Sequence, residues 1–147
     1  MKKQFKGRPV LAGRVSGEAV VSHTGFNTLA AFQKSMLTHR RKAICSDQGN
    51  ADLFGKNITG KVLCIPQTIG STSGGLAFQT AVSLGIAPKA ILFSEHIDSL
   101  AASGMILSDI WQGKRIVTVD LLGPDFLAAV RDGNRVEIFE DGRVEIS

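Results

Sequence analysis

Cysteine is scarce in this chain. There are 2 in 147 residues, Cys45 and Cys64, with no Cys-x-x-Cys spacing and no histidine pair nearby. Two thiols cannot complete a four-ligand metal site within one chain, so the expectation is a buried, reduced pair. Prolines number 4 against 16 glycines, which suits tight turns and argues against a low-complexity linker. No apolar run approaches the ~20 residues that span a bilayer. Met1–Lys6 carries positive charge with no apolar signal core behind it. A soluble cytoplasmic protein follows as the expectation, in a compartment that disfavours disulfides. Aromatic residues make up only 6%, and no aromatic stripe flanks the one basic cluster, His39-Arg40-Arg41-Lys42. That argues against nucleic acid. The cluster itself suits a solvated loop face, or else an anion-binding or docking loop.

What is present is globular. Hydrophobic residues reach 44% and charged residues 20%, and the length suits one domain over residues 1–147. The net charge of +4 is modest and fits an anionic small molecule or an acidic partner surface. The chain reads as one α/β domain without repeats. Arg8–Val15 and Glu18–Ser22 read as strands joined by a turn at Ser16-Gly17. Phe26, Leu29, Ala30 and Phe32 suggest a short helix, and Ile44–Gly49 a short strand and turn. Lys61–Pro66 suits a strand buried on both faces. Leu76–Leu84 has helical spacing and stops at Gly85, and Lys89–Phe93 is a second apolar strand. Together these form a βαβ pattern. Asp98–Gly104 reads as a short helix capped by Asp98 or Ser99 and stopped by Gly104. Arg115–Val119 follows as a strand. Gly123-Pro124-Asp125 starts a helix over 126–130. Arg135–Phe139 and Val144–Ile146 form a hairpin around Asp141-Gly142.

The sharpest feature is Thr68-Ile69-Gly70-Ser71-Thr72-Ser73-Gly74-Gly75, between a buried strand and a helix. Backbone N–H groups at a helix start favour an anion, and the three hydroxyls add donors. No Lys-Ser or Lys-Thr pair follows, so this is not a P-loop. Serine also sits one position early for a nucleophile elbow. An ordinary helix cap with turn glycines is the competing reading. His23, His39 and His96 share no spacing and build no site alone. Glu95-His96-Ile97-Asp98 follows a strand end and is expected to border the same crevice as the glycine-rich loop.

In order and spacing, several segments resemble the small, swivelling domain of the aconitase X family. They are Gly13-Arg14-Val15-Ser16-Gly17-Glu18-Ala19, Gly60-Lys61-Val62-Leu63 with Pro66, Gly70-Ser71-Thr72-Ser73-Gly74, Ala87-Pro88-Lys89-Ala90-Ile91 and Gly104-Met105-Ile106. The resemblance implies a swivelling β/β/α fold. It implies the small subunit of a heterodimeric hydro-lyase that dehydrates a hydroxylated carboxylate. Iron or an iron–sulfur cluster would be held by the large subunit, with no metal on this chain. Ser71 matches the family's catalytic serine, and Gly70, Thr72, Ser73 and Gly74 would bind substrate. Many relatives carry Gly-Arg-Gly-Ser, and here Ile69 stands in the arginine's place. A tryptophan- and glycine-rich stretch common in relatives is replaced by His23–Asn27. Loss of the arginine points away from a phosphorylated substrate, phosphomevalonate, and toward cis-3-hydroxy-L-proline. A non-catalytic anion-binding module is the remaining alternative.

Overall fold

The computed structural model describes residues 2–70 and 74–147. In chain order the elements are β1 (Lys3–Lys6), β2 (Arg8–Leu11), β3 (Val15–Val21), β4 (Phe26–Asn27), α1 (Thr28–Leu37), β5 (Val62–Ile65), β6 (Thr68–Ile69) and α2 (Gly74–Ser83). They continue with β7 (Ala90–Phe93), α3 (Ser99–Gln112), β8 (Val117–Asp120), α4 (Pro124–Ala129), β9 (Arg135–Ile138) and β10 (Arg143–Ile146). The main sheet has 8 strands in the order β1-β10-β9-β3-β5-β7-β8-β2. Strands β3, β5, β7 and β8 are parallel, and the remaining pairings are antiparallel. No described helix is long and apolar enough to cross a membrane.

Strand β3 explains the layering. Its first half, Val15–Glu18, pairs with β9, and its second half, Ala19–Val21, pairs with β5. One strand thus belongs to an antiparallel ribbon and to a parallel sheet, and the ribbon folds over one face of that sheet. The side chains of β5 and β7 alternate between two cores, as the period of two requires. Leu63, Ile65, Ile91 and Phe93 face α1, α2 and α3 with Phe32, Phe78 and Met105. Val62, Cys64, Ala90 and Leu92 face the ribbon and α4 with Val136, Ile138, Val144 and Phe126. The result is the expected β/β/α stack. Each fully buried Leu, Ile or Phe contributes about 1.5–3 kcal/mol relative to exposure, which is why the short strands β5 and β7 can anchor both layers.

Three expectations need correction. Arg8–Val15 and Glu18–Ser22 are not hairpin partners: β2 pairs with β8, the break falls at residues 12–14, and Ser16 and Gly17 lie inside β3. Ser16-Gly17 resembles a turn pair in composition, but both residues pair with β9 inside the continuous strand. The helix after Asp98 does not stop at Gly104 but runs to Gln112, where Gly113 at φ 64° ends it. Gly104 serves close packing rather than termination, as shown below. Ile44–Gly49 forms no strand, only a single bridge from Ile44 to Asn57. The other readings hold within a residue or two: α1 is capped by the Asn27 side chain accepting from Ala30 N at 3.1 Å, and β9–β10 is the hairpin.

Candidate active site

The carboxyl ends of the parallel strands lie along one rim. Ser22–Asn27 follows β3, Pro66–Gly70 follows β5, Ser94–Asp98 follows β7 and Leu121–Gly123 follows β8. Ligands of parallel sheets sit at such rims because the loops there present unpaired backbone groups. Two of these loops are tied together by the small parallel ladder between β4 and β6, with Phe26 opposite Thr68 and Asn27 opposite Ile69. The ladder fixes the stem of the glycine-rich loop. Gly70 then turns at φ 111°, and a Cβ there would stand 3.0 Å from Asn27 Nδ2. The backbone angle favours glycine, and the close Asn27 side chain leaves little room for a Cβ. Ser71, Thr72 and Ser73 lie outside the described residues. The chain re-enters at Gly74, the first residue of α2.

The far side of the loop is set by helix packing. A Cβ on Gly75 would lie 2.7 Å from Leu100 O, and one on Gly104 would lie 2.7 Å from Gly75 O. Helices α2 and α3 therefore touch backbone to backbone, which fixes where α2 starts. A cavity of about 170 Å³ reaches Gly70 and Gly75, with Phe78, Ile91 and Met105 among its apolar lining and Thr68, Gly70 and Asp98 among its polar groups. Among the described lining residues Asp98 carries the only charge. Its carboxylate accepts from Ala101 N at 3.0 Å as the cap of α3 and from the Thr68 hydroxyl. The expectation that the 95–98 segment borders the glycine-rich loop is thus met through the Thr68–Asp98 bond.

A second polar cluster has no local signature in the sequence. Asp120, at the end of β8, is fully buried, and Arg8 Nε and Nη2 donate to its two oxygens at 2.9 and 2.6 Å. Ile97 N donates to it at 2.9 Å. Asp120 raises the Arg8 guanidinium above its usual pKa, first through the hydrogen bonds and then by charge. The only sequence signal was an aspartate ending an apolar strand. The histidines stay apart: His23 pairs with Asp52 at 3.2 Å, His39 sits exposed at φ 51°, and His96 lies beside Arg8. The run from His39 to Lys42 is an exposed loop.

Neither thiol is suited to hold a metal. Cys45 and Cys64 are free and buried. Burial pushes both thiols above their usual pKa, Cys64 far above it, whereas a metal ligand must be a thiolate. Among the described residues no three His, Cys, Asp or Glu side chains converge. Iodoacetamide is accordingly expected to leave both cysteines of the native chain unmodified at pH 8 while alkylating both in denaturant. Mass spectrometry of the two samples checks this, and rapid native labelling of Cys64 would contradict its placement.

The description of the aconitase X swivel domain fits residues 4–146. The chain belongs to the aconitase X swivel-domain family. This swivel domain is 30% identical over 139 residues to the phosphomevalonate dehydratase small subunit of Thermococcus kodakarensis, covering 95% of this chain and 98% of that one. It is 29% identical over 143 residues to the protein of the same name from Aeropyrum pernix, covering 97% and 92%. The crystal structure of Thermococcus kodakaraensis aconitase X in its holo-form superposes with a TM-score of 0.82 at 28% identity, covering 99% of this chain and 98% of that one. The swivelling β/β/α expectation is therefore met in both topology and family.

Proposed function

We propose that this swivel domain is the small subunit of a two-subunit hydro-lyase that dehydrates a hydroxylated carboxylate, with Ser71 as its catalytic serine. The observation that carries the reading is the braced glycine-rich segment at the sheet's carboxyl rim. Its stem is locked by the β4–β6 ladder and its exit by the Gly75–Gly104 contact. Family membership and the dehydratase names of the relatives support it. Ser71 takes the proton from the carbon beside the substrate carboxylate. The carbon–oxygen bond to the hydroxyl then breaks, a double bond forms, and the departing hydroxide takes up the proton that Ser71 accepted, so that water is released and the serine returns to its starting state. A serine alkoxide is costly at neutral pH, so preorganised donors are needed, and the N–H groups of Thr72 and Ser73 fill that role. Gly70 and Gly74 let the backbone approach the substrate. An iron or iron–sulfur centre on the large subunit would supply Lewis acidity toward the leaving hydroxyl.

The substrate we assign is cis-3-hydroxy-L-proline. A phosphate needs cations, yet Ile69, 52% exposed, stands where the family resemblance led to the expectation of an arginine. The one charge on the described cavity lining is a carboxylate, Asp98, which repels phosphate and suits a secondary ammonium group. Phosphomevalonate is the second reading, favoured by the names of the relatives. Co-purification with the large subunit under anaerobic conditions and assay on both compounds decides between them. Turnover of phosphomevalonate alone would overturn the hydroxyproline assignment, and turnover of neither would overturn the dehydratase reading. Asp98→Asn should raise the KM for cis-3-hydroxy-L-proline about tenfold by removing a charge-assisted bond. Thermal stability should stay unchanged, because asparagine caps a helix as well as aspartate does. An unaltered KM would leave Asp98 as a cap only.

A further inference from the structure

A guanidinium has two edges that accept a carboxylate side by side, Nε with Nη2 and Nη1 with Nη2. In Arg8 the first edge is taken by Asp120. The carboxylate is fully buried, while the Arg8 side chain is 50% exposed. Arg8 cannot swing away without leaving a buried charge unpaired, so its second edge is held in place toward solvent. Among the described residues the hydrogen-bond partner there is the exposed His96, whose Nε2 lies 3.4 Å from Arg8 Nη2. His96 Nδ1 lies 2.6 Å from Ile97 O. A carbonyl only accepts, so Nδ1 carries the hydrogen, and in the neutral ring Nε2 is a weak acceptor for Arg8.

The placement matters because Arg8 faces Asp120 in register at the end of β8. Among the described residues that follow β3, β5, β7 and β8 along the rim there is no lysine or arginine. Arg8, reaching the rim from the neighbouring antiparallel strand, is the fixed cation there. Asp120 also holds Ile97 N, and the next residue is Asp98 on the cavity wall. The same buried carboxylate therefore holds both the guanidinium and the backbone of the residue before Asp98. We infer that Arg8 binds the substrate carboxylate through its Nη1/Nη2 edge, displacing the His96 ring, with Asp120 as its positioning residue. This rests on the dehydratase reading but not on which hydroxylated carboxylate is the substrate, since both compounds carry the group.

The test is steady-state kinetics of the two-subunit complex on whichever of the two compounds it dehydrates. Arg8→Lys keeps a cation for Asp120 but has no second edge. It should raise KM about 10–100-fold while kcat stays within a few-fold. His96→Glu leaves the Arg8–Asp120 pair intact and sets a carboxylate beside the open edge as an internal competitor. It should raise KM about tenfold and, being on the surface, fold normally even if Arg8→Lys does not. A lowered melting temperature with unchanged KM in Arg8→Lys would make Arg8 purely structural and overturn the inference. An unchanged KM in His96→Glu would overturn it as well. Absence of turnover in the wild-type complex would overturn the dehydratase reading and the inference together.

Discussion

Ser71→Ala in the assembled complex is expected to lower kcat by about 10²–10⁴-fold, the range spanned by a positioned proton-transfer group. Assembly should be unaffected, because the change removes one hydroxyl from a loop whose two ends are held independently. At the entry end, Asn27 packs against Gly70 and pairs in register with Ile69. At the exit end, Gly75 rests on the backbone of α3. Size-exclusion chromatography and iron content should match the wild-type complex, and the loss should appear in kcat rather than KM. Near-normal turnover would remove Ser71 from the chemistry and revive the binding-module alternative. Comparable loss in Thr72→Ala but not Ser71→Ala would move the base one residue along.

Gly104→Val is expected to destabilise the isolated chain by about 3 kcal/mol, near the upper part of the range for overpacking. For a chain of this size that lowers the melting temperature by roughly 10 °C. The sign is the informative part. In an open helix, replacing an interior glycine by alanine stabilises by about 0.5–1 kcal/mol, because glycine loses more backbone entropy on folding. Here even alanine's Cβ would sit 2.7 Å from Gly75 O and 3.0 Å from Gly75 Cα. Backbone atoms cannot step aside as a flexible side chain does, so α2 and α3 must separate. Gly104→Ala should therefore destabilise too, by less than valine. Thermal unfolding of the three proteins checks the order, and a stabilised alanine variant would contradict the close contact. Separation of the helices also displaces the start of α2. The variant complex should consequently lose activity at temperatures where it is still folded.

Elements whose signals are local can be read from the chain alone. Val62–Ile65 and Ala90–Phe93 were legible as buried strands because both faces of each are covered, which leaves an uninterrupted apolar run. The β5–α2–β7 unit and the β9–β10 hairpin followed from periodicity and turn chemistry. The family pattern was legible as motifs in their order along the chain, and the match over residues 4–146 agrees with it. Tertiary structure decided the rest. That β3 serves two sheets was hidden, because alternation records which face a residue takes, not which strand it pairs with. Gly104 read as a helix stop because glycine marks both helix ends and close approaches, and only the position of Gly75 separates the two. Arg8 and Asp120 stand 112 residues apart in the chain. No local pattern could join them. They meet because β2 closes antiparallel on β8, where a buried carboxylate must find a cation or be left unpaired in the core.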